Sequence, residues 1–219
     1  MLQANIYKVN RQNYLSIYNS ALFKSIPAYK LYRFKQTLHL LLLCLISEQS
    51  LALFIYSGYT FIIINMLAYS KLTKELKEAM KRKSDDVEIG LHTDNLFHWF
   101  AKIKGPPDSP FENVWYILDI IVPTDYPMAA PKIKFVTKVF HPNIHFASGE
   151  ICLDILKSDY WTPAWTLESV CRAIISLLAN PNAESPLNCD CGNMIRAGDL
   201  IAYKSLAKMY AIEYGNCKE

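Results

Sequence analysis

His141-Pro142-Asn143-Ile144-His145-Phe146-Ala147-Ser148-Gly149-Glu150-Ile151-Cys152-Leu153-Asp154-Ile155-Leu156 is the stretch on which the reading of this chain turns. It shows neither the alternation of a strand nor the 3.6-residue period of a helix, and it lies between strand-like runs and a helical pattern. A loop this long inside a compact domain usually carries function. Taken alone, a cysteine in such a loop is more often structural than nucleophilic, so Cys152 must be judged by its surroundings.

Upstream, strand-like runs at 87–92, 97–104, 114–122 and 132–136 are separated by the turn signals Thr93-Asp94-Asn95, Gly105-Pro106-Pro107 and Pro123-Thr124-Asp125. Four consecutive strands with short links predict an antiparallel meander. Before them, Leu72, Leu76, Ala79 and Met80 recur at helical spacing among Lys and Glu, which predicts an amphipathic first helix. Downstream, a helix is expected at 167–179, capped by Thr166 with Glu168 in its first turn and stopped at Asn180-Pro181. Two shorter helical patterns, near 192–196 and 199–214, close an α+β domain expected to span 70–216.

The chain has 219 residues, 52% hydrophobic and 20% charged, enough for one domain with a real core and something extra. Its net charge of +3 is unevenly spread. Before Ser70 six basic residues face one acid, Glu48; from Ser70 onward 17 face 19. The near-neutral part carries no nucleic-acid signature. The six cysteines include no CxxC pair and no histidine cluster at metal-ligand spacing, so no metal site is expected. Cys44 in an apolar run and Cys171 in a helical pattern read as small buried residues, consistent with a reducing, cytosolic setting.

Residues 1–69 form an extension of different character. An apolar run at 51–69 has the length a bilayer span needs, although Ser57, Gly58, Thr60 and Asn65 dilute it. Three readings stay open: a membrane anchor, a non-native start with Met66 as the natural one, and a core helix or targeting signal. Basic residues flank both sides of the run, so the charge rule assigns no orientation.

The loop resembles the active-site signature of ubiquitin-conjugating enzymes, in His141 to Asn143, Gly149 to Leu156 and Trp161 to Ala164. Gly105-Pro106 with Ser109-Pro110-Phe111, Tyr126-Pro127 with Pro131, and Ser185-Pro186-Leu187-Asn188 extend the likeness over roughly 145 residues. The resemblance implies the ubiquitin-conjugating fold: N-terminal helix, four-stranded meander, active-site loop, C-terminal helices. It implies that Cys152 takes ubiquitin as a thioester from the activating enzyme and passes it on, chemistry suited to a thiolate. Asn143 would stabilise the oxyanion or order the neighbouring loop. His141 would hold the loop, and Asp154 would orient or deprotonate the acceptor. Ser185 and Glu184 would border the substrate. Lys71 and Lys74 would meet the activating enzyme, and Met128, Pro163 and Ala164 would offer an apolar patch to RING-type ligases. No cofactor is implied in the domain itself, ATP being consumed upstream by the activating enzyme, although nucleotide binding is among the family's associations. The sequence pattern pairs no histidine base with Cys152, which argues against a cysteine hydrolase.

Several features resemble the peroxisomal members of the family, the peroxin group: a loop to Cys152 one residue longer than usual, the run from Ser169 to Ile175, and above all Asn188-Cys189-Asp190-Cys191-Gly192-Asn193-Met194-Ile195-Arg196-Ala197-Gly198-Asp199. That likeness implies monoubiquitination of the peroxisomal import receptor for its recycling, with RING peroxins and a membrane-anchored docking peroxin as partners, at the cytosolic face of the peroxisome. The alternative is a general cytosolic member acting on substrate lysines for degradation. An insertion, Lys157-Ser158-Asp159-Tyr160, is expected to alter the rim of the active site.

Overall fold

The computed structural model describes residues 48–82 and 84–215, with side chains from 64 onward. The chain divides into two compact units, Met1–Gly58 and Tyr59–Glu219. Helix α1, Glu48–Lys81, opens the described part, and everything from Tyr59 onward belongs to the second unit. Among the described residues no helix is long and apolar enough to cross a membrane. Most side chains of the run at 51–69 lie outside the described set, so the span expected there remains an expectation of the sequence.

In the second unit α1 presents Ala68, Leu72 and Glu75 to the interior at the spacing of one helical face, with Leu76 packed beside them. Tyr69 sets its ring edge-on to Phe97, 5.1 Å between centroids. Met80, expected among the inward residues, is 80% exposed. Eight residues past Leu72, the period has carried it about 80° off the buried stripe.

Strands β1 (Val87–Leu91), β2 (His98–Lys104), β3 (Trp115–Ile121) and β4 (Lys132–Phe135) form the expected antiparallel meander in order β1-β2-β3-β4. The register aligns one apolar face. Val87 opposes Ile103, Ile103 opposes Tyr116, Ala101 opposes Leu118, and Leu118 opposes Phe135. A one-residue slip would turn this whole set to solvent, which is why the alternation fixes the pairing. Against that face lies α2, Leu167–Ala179, through Leu167, Val170, Cys171, Ile174 and Leu178. Thr166 caps it in a reciprocal box with Ser169, a feature worth about 1 kcal/mol. Helices α3 (Cys189–Arg196) and α4 (Leu200–Tyr214) follow, capped by the Asn188 and Asp199 side chains.

A buried acid joins α1 to α2. Glu75 accepts from the Tyr126 hydroxyl at 2.7 Å and from the Leu167 backbone N–H at 2.9 Å, one of the unpaired donors that open every helix. Burial raises its carboxyl pKa, and these two bonds, with Lys71 at 3.9 Å, work against that rise.

Candidate active site

The 141–156 stretch is more ordered than its sequence suggests. Isolated bridges pair Ile144 with Ile151 and Lys134 with Glu150, making a short hairpin that rests against β4. The Cys152 N–H donates to the Asn143 carbonyl at 2.9 Å, and the His145 N–H to the Glu150 carbonyl at 2.9 Å. Gly149 is required at the turn on two counts. Its φ is +75°, and a Cβ there would collide with the Phe135 carbonyl. The loop looked irregular because a hairpin this short has too few residues to show a period.

The loop is also held from the far end of the chain. Phe146 packs edge-on to Tyr210 (5.2 Å) and Tyr214 (6.2 Å) of α4, and the Lys138 ammonium lies over both Phe146 and Tyr214. The hairpin that carries Cys152 is thereby anchored to the C-terminal helix.

Asn143 is buried, and its amide is engaged with the backbone of Asn182. Its Oδ1 accepts from the Asn182 N–H and its Nδ2 donates to the Asn182 carbonyl, both at 2.8 Å. Next to it the Pro142 carbonyl accepts from the N–H groups of Leu187 (2.7 Å) and Asn188 (3.1 Å). The segment 182–188, which contains Glu184 and Ser185, is thus tethered at both ends to the dipeptide that also holds Cys152. Of the two roles expected for Asn143, loop ordering is the one this geometry displays, and only one Nδ2 hydrogen is committed to it.

His141 is fully buried against Phe111. Its Nδ1 accepts from the Asn143 N–H at 3.1 Å, so the proton of the neutral ring sits on Nε2, buried near the Leu177 carbonyl but outside hydrogen-bond geometry with any described group. Burial pushes its pKa down to about 3, the Leu177 carbonyl opposing weakly. A neutral imidazole whose acceptor nitrogen is occupied is no base for a thiol. His145 spends its Nδ1 on the Ser148 N–H and hydroxyl.

The four described cysteines are free. Burial pushes the Cys171 and Cys191 thiols up to about 12, which holds them protonated at neutral pH. Cys152 is partly exposed and Cys189 exposed. Among the described residues no group of His, Cys, Asp or Glu could hold a metal ion.

Asp154 opens a 3-10 turn, Asp154–Leu156, directly after the thiol loop, and its carboxylate receives the Lys157 ammonium at 2.6 Å. This partner was not foreseen in the sequence. The cue was there, since residues three apart eclipse in a 3-10 turn. The segment 157–161 closes on Lys157, whose carbonyl accepts from the N–H groups of Tyr160 (3.1 Å) and Trp161 (3.0 Å).

The two basic residues expected to dock the activating enzyme differ. Lys74 is 77% exposed, with Glu78 at 3.9 Å. Lys71 is turned inward. It donates to the carbonyls of Pro163 (2.6 Å) and Trp165 (2.9 Å), and lies over the Tyr126 ring. Its charge secures the loop bearing Pro163 and Ala164. That loop is also fastened by Trp161, whose indole N–H donates to the Pro127 carbonyl at 2.8 Å. The same bond brings exposed Met128 next to the segment carrying exposed Pro163 and Ala164.

The family model for ubiquitin-conjugating enzymes matches residues 71–211. The chain belongs to the ubiquitin-conjugating enzyme family. It is 54% identical over 147 residues to the ubiquitin-conjugating enzyme E2 pex4 of Dictyostelium discoideum, covering 67% of this chain and 98% of that protein. It is 52% identical over 143 residues to the protein PEROXIN-4 of Arabidopsis thaliana, covering 64% and 90%. The crystal structure of the H. polymorpha ubiquitin-conjugating enzyme Pex4p, in complex with the soluble domain of Pex22p, superposes with a TM-score of 0.64 at 38% identity, covering 68% of this chain and 98% of that one. The enzyme therefore has the ubiquitin-conjugating fold expected of it, and its catalytic class is acyl transfer through a thioester.

Proposed function

We propose that Cys152 is the acceptor thiol, and that the enzyme monoubiquitinates the import receptor of peroxisomes so that the receptor can be recycled. The observation that carries the first part is the setting of Cys152. It is a partly exposed thiol, fixed through its own N–H to Asn143, whereas Cys171 and Cys191 are buried and their thiols are kept protonated by that burial. The likeness to peroxin-4 enzymes supports the second.

The Cys152 thiolate attacks the ubiquitin C-terminal carbonyl of the activating enzyme's thioester, passes through a tetrahedral oxyanion, and expels the activating enzyme's thiolate. ATP is spent earlier, when the activating enzyme forms its own thioester, and the domain itself uses no cofactor. Asn143 orders the 182–188 loop and has one N–H left to offer the oxyanion. Glu184 and Ser185 border the incoming acceptor. Lys74 serves the activating enzyme, and Met128, Pro163 and Ala164 serve RING peroxins. A membrane-anchored docking peroxin holds the protein at the cytosolic face of the peroxisome, a reading supported by the complex of the H. polymorpha enzyme with the soluble domain of Pex22p.

Incubation with ubiquitin, activating enzyme and ATP is the direct test. A reducible ubiquitin adduct is expected on the wild type and none on Cys152→Ala; persistence of the adduct in the variant would refute the assignment. Peroxisomal work is tested by receptor recycling in cells carrying Cys152→Ala. Normal recycling there would point to the alternative, a general cytosolic enzyme acting on lysines.

A further inference from the structure

One ring of the C-terminal helix is gripped by the segment of chain that leads to the thiol. Tyr210 of α4 stacks on Phe140, 5.1 Å between centroids and 16° between planes, and meets Phe146 edge-on at 5.2 Å. Asn143 lies midway between those two phenylalanines in the sequence. Both flanks of Asn143 therefore rest on a single ring.

The helix is a fixed support for that ring. Its inner stripe of Tyr203, Ala207 and Ala211 is buried, and the two alanines let it lie close to the domain. At its end a Cβ on Gly215 would collide with the Val114 side chain, so the terminus is seated against the residue that leads into β3. Tyr214, one turn beyond Tyr210, stacks on it at 5.9 Å, and the Lys138 ammonium lies 5.1 Å from the Tyr214 ring centre.

Asn143 has three groups to align at once. Its carbonyl holds the Cys152 N–H, its amide holds Asn182 through two bonds, and the second Nδ2 hydrogen is the one left for the oxyanion. His141 pins one side of this segment to Phe111, and Tyr210 pins both flanks to α4. A reacting or stabilising group misplaced by about 1 Å can lose a factor of roughly 100 in rate.

We propose that Tyr210 is a positioning residue for the thioester reaction: with its ring held between Phe140 and Phe146, it sets the place of Asn143 relative to Cys152. The proposal rests on the assignment of Cys152 as the carrier thiol and deepens it. Tyr210 acts through Asn143 and takes no part in bond making.

The test is single-turnover discharge of the ubiquitin-charged enzyme to hydroxylamine, after activating enzyme and ATP are removed. The hydroxylamine nitrogen bonds to the ubiquitin carbonyl carbon and the C–S bond to Cys152 breaks. The departing thiolate takes the proton that the nitrogen gives up, leaving a ubiquitin hydroxamate. Only charged molecules are counted, so a loss of folded protein does not enter the rate constant. Tyr210→Ala is expected to slow discharge about tenfold, short of a full misplacement. Phe146→Ala removes the same contact from the loop side; it is expected to do likewise, and it decides the matter should Tyr210→Ala fail to fold. Tyr210→Phe keeps the ring and is expected to stay within about twofold of the wild type. In an Asn143→Ala background, Tyr210→Ala is expected to add less than about twofold, because the group it places is gone. A wild-type rate in Tyr210→Ala or in Phe146→Ala, equal slowing by Tyr210→Phe and Tyr210→Ala, or a loss undiminished in the Asn143→Ala background would each overturn the proposal. A wild type that never charges would count against the Cys152 assignment instead, and it shows before any discharge is timed.

Discussion

Acid should loosen this protein through one buried ring. His141 is fully buried with its Nδ1 already accepting a hydrogen bond, so protonation there adds a charge in a dry site and turns an acceptor into a donor facing the Asn143 N–H. Its pKa falls from 6.5 in the unfolded chain to about 3 in the fold. Because the folded value is the lower one, the unfolded chain binds more protons between those limits. The stability is fully present above pH 6.5 and drains away as pH falls toward 3. At about 1.36 kcal/mol per unit the whole span amounts to about 5 kcal/mol, and the loss at pH 5 is already about 2 kcal/mol. The perturbation is His141→Asn, whose Oδ1 can stand where Nδ1 stands and accept from the Asn143 N–H without titrating. Losing the rest of the ring should cost about 2 kcal/mol at neutral pH. Urea unfolding at pH 7.5, 6.5, 5.5 and 5.0 should show the wild type losing about 2 kcal/mol more than the variant across that range. The variant should still charge with ubiquitin at pH 7.5, since the bond that holds the loop is preserved. Parallel pH profiles for the two proteins would refute the reasoning, because the titrating group would then lie elsewhere.

Other expectations follow from the same contacts. Asn143→Ala, which strands the Asn182 N–H and carbonyl, should cost about 1–3 kcal/mol and raise hydrogen exchange selectively over 182–188; uniform exchange along the chain would contradict the tether. Lys71→Met should leave charging by the activating enzyme near wild type and impair ligase-stimulated discharge, whereas Lys74→Met should do the reverse, as kinetics of the two half-reactions would reveal. Iodoacetamide at pH 7.5 should label Cys152 and Cys189 in the native protein and reach Cys171 and Cys191 only after unfolding, by peptide mass spectrometry. Early labelling of Cys171 would contradict its burial.

Regular structure was legible because burial imposes a period. The alternation in Trp99, Ala101 and Ile103 marks a strand, and Leu167, Val170, Cys171, Ile174 and Leu178 mark a helix, with Thr166 advertising its start. The nucleophile candidate was legible through its neighbours, not through any property of a lone cysteine. What escaped was tertiary. Nothing local in Lys71 says that its ammonium will meet carbonyls more than ninety residues away, and nothing local in Asn182 says that its backbone will receive the Asn143 amide. Phe146 read as part of an irregular loop because its partners, Tyr210 and Tyr214, lie on a helix near the other end of the chain. Met80 was misassigned because four apolar residues at near-helical spacing do not say where a buried stripe ends.

The Asn143 tether has a consequence for how such an enzyme can diversify. Its two bonds reach the main-chain N–H and carbonyl of residue 182 and are indifferent to the side chain there. Every amino acid offers those groups except proline, which lacks the N–H. The rim facing the acceptor can therefore drift through mutation while the scaffold beneath the thiol stays assembled, so that a change of clientele need not begin with a loss of fold.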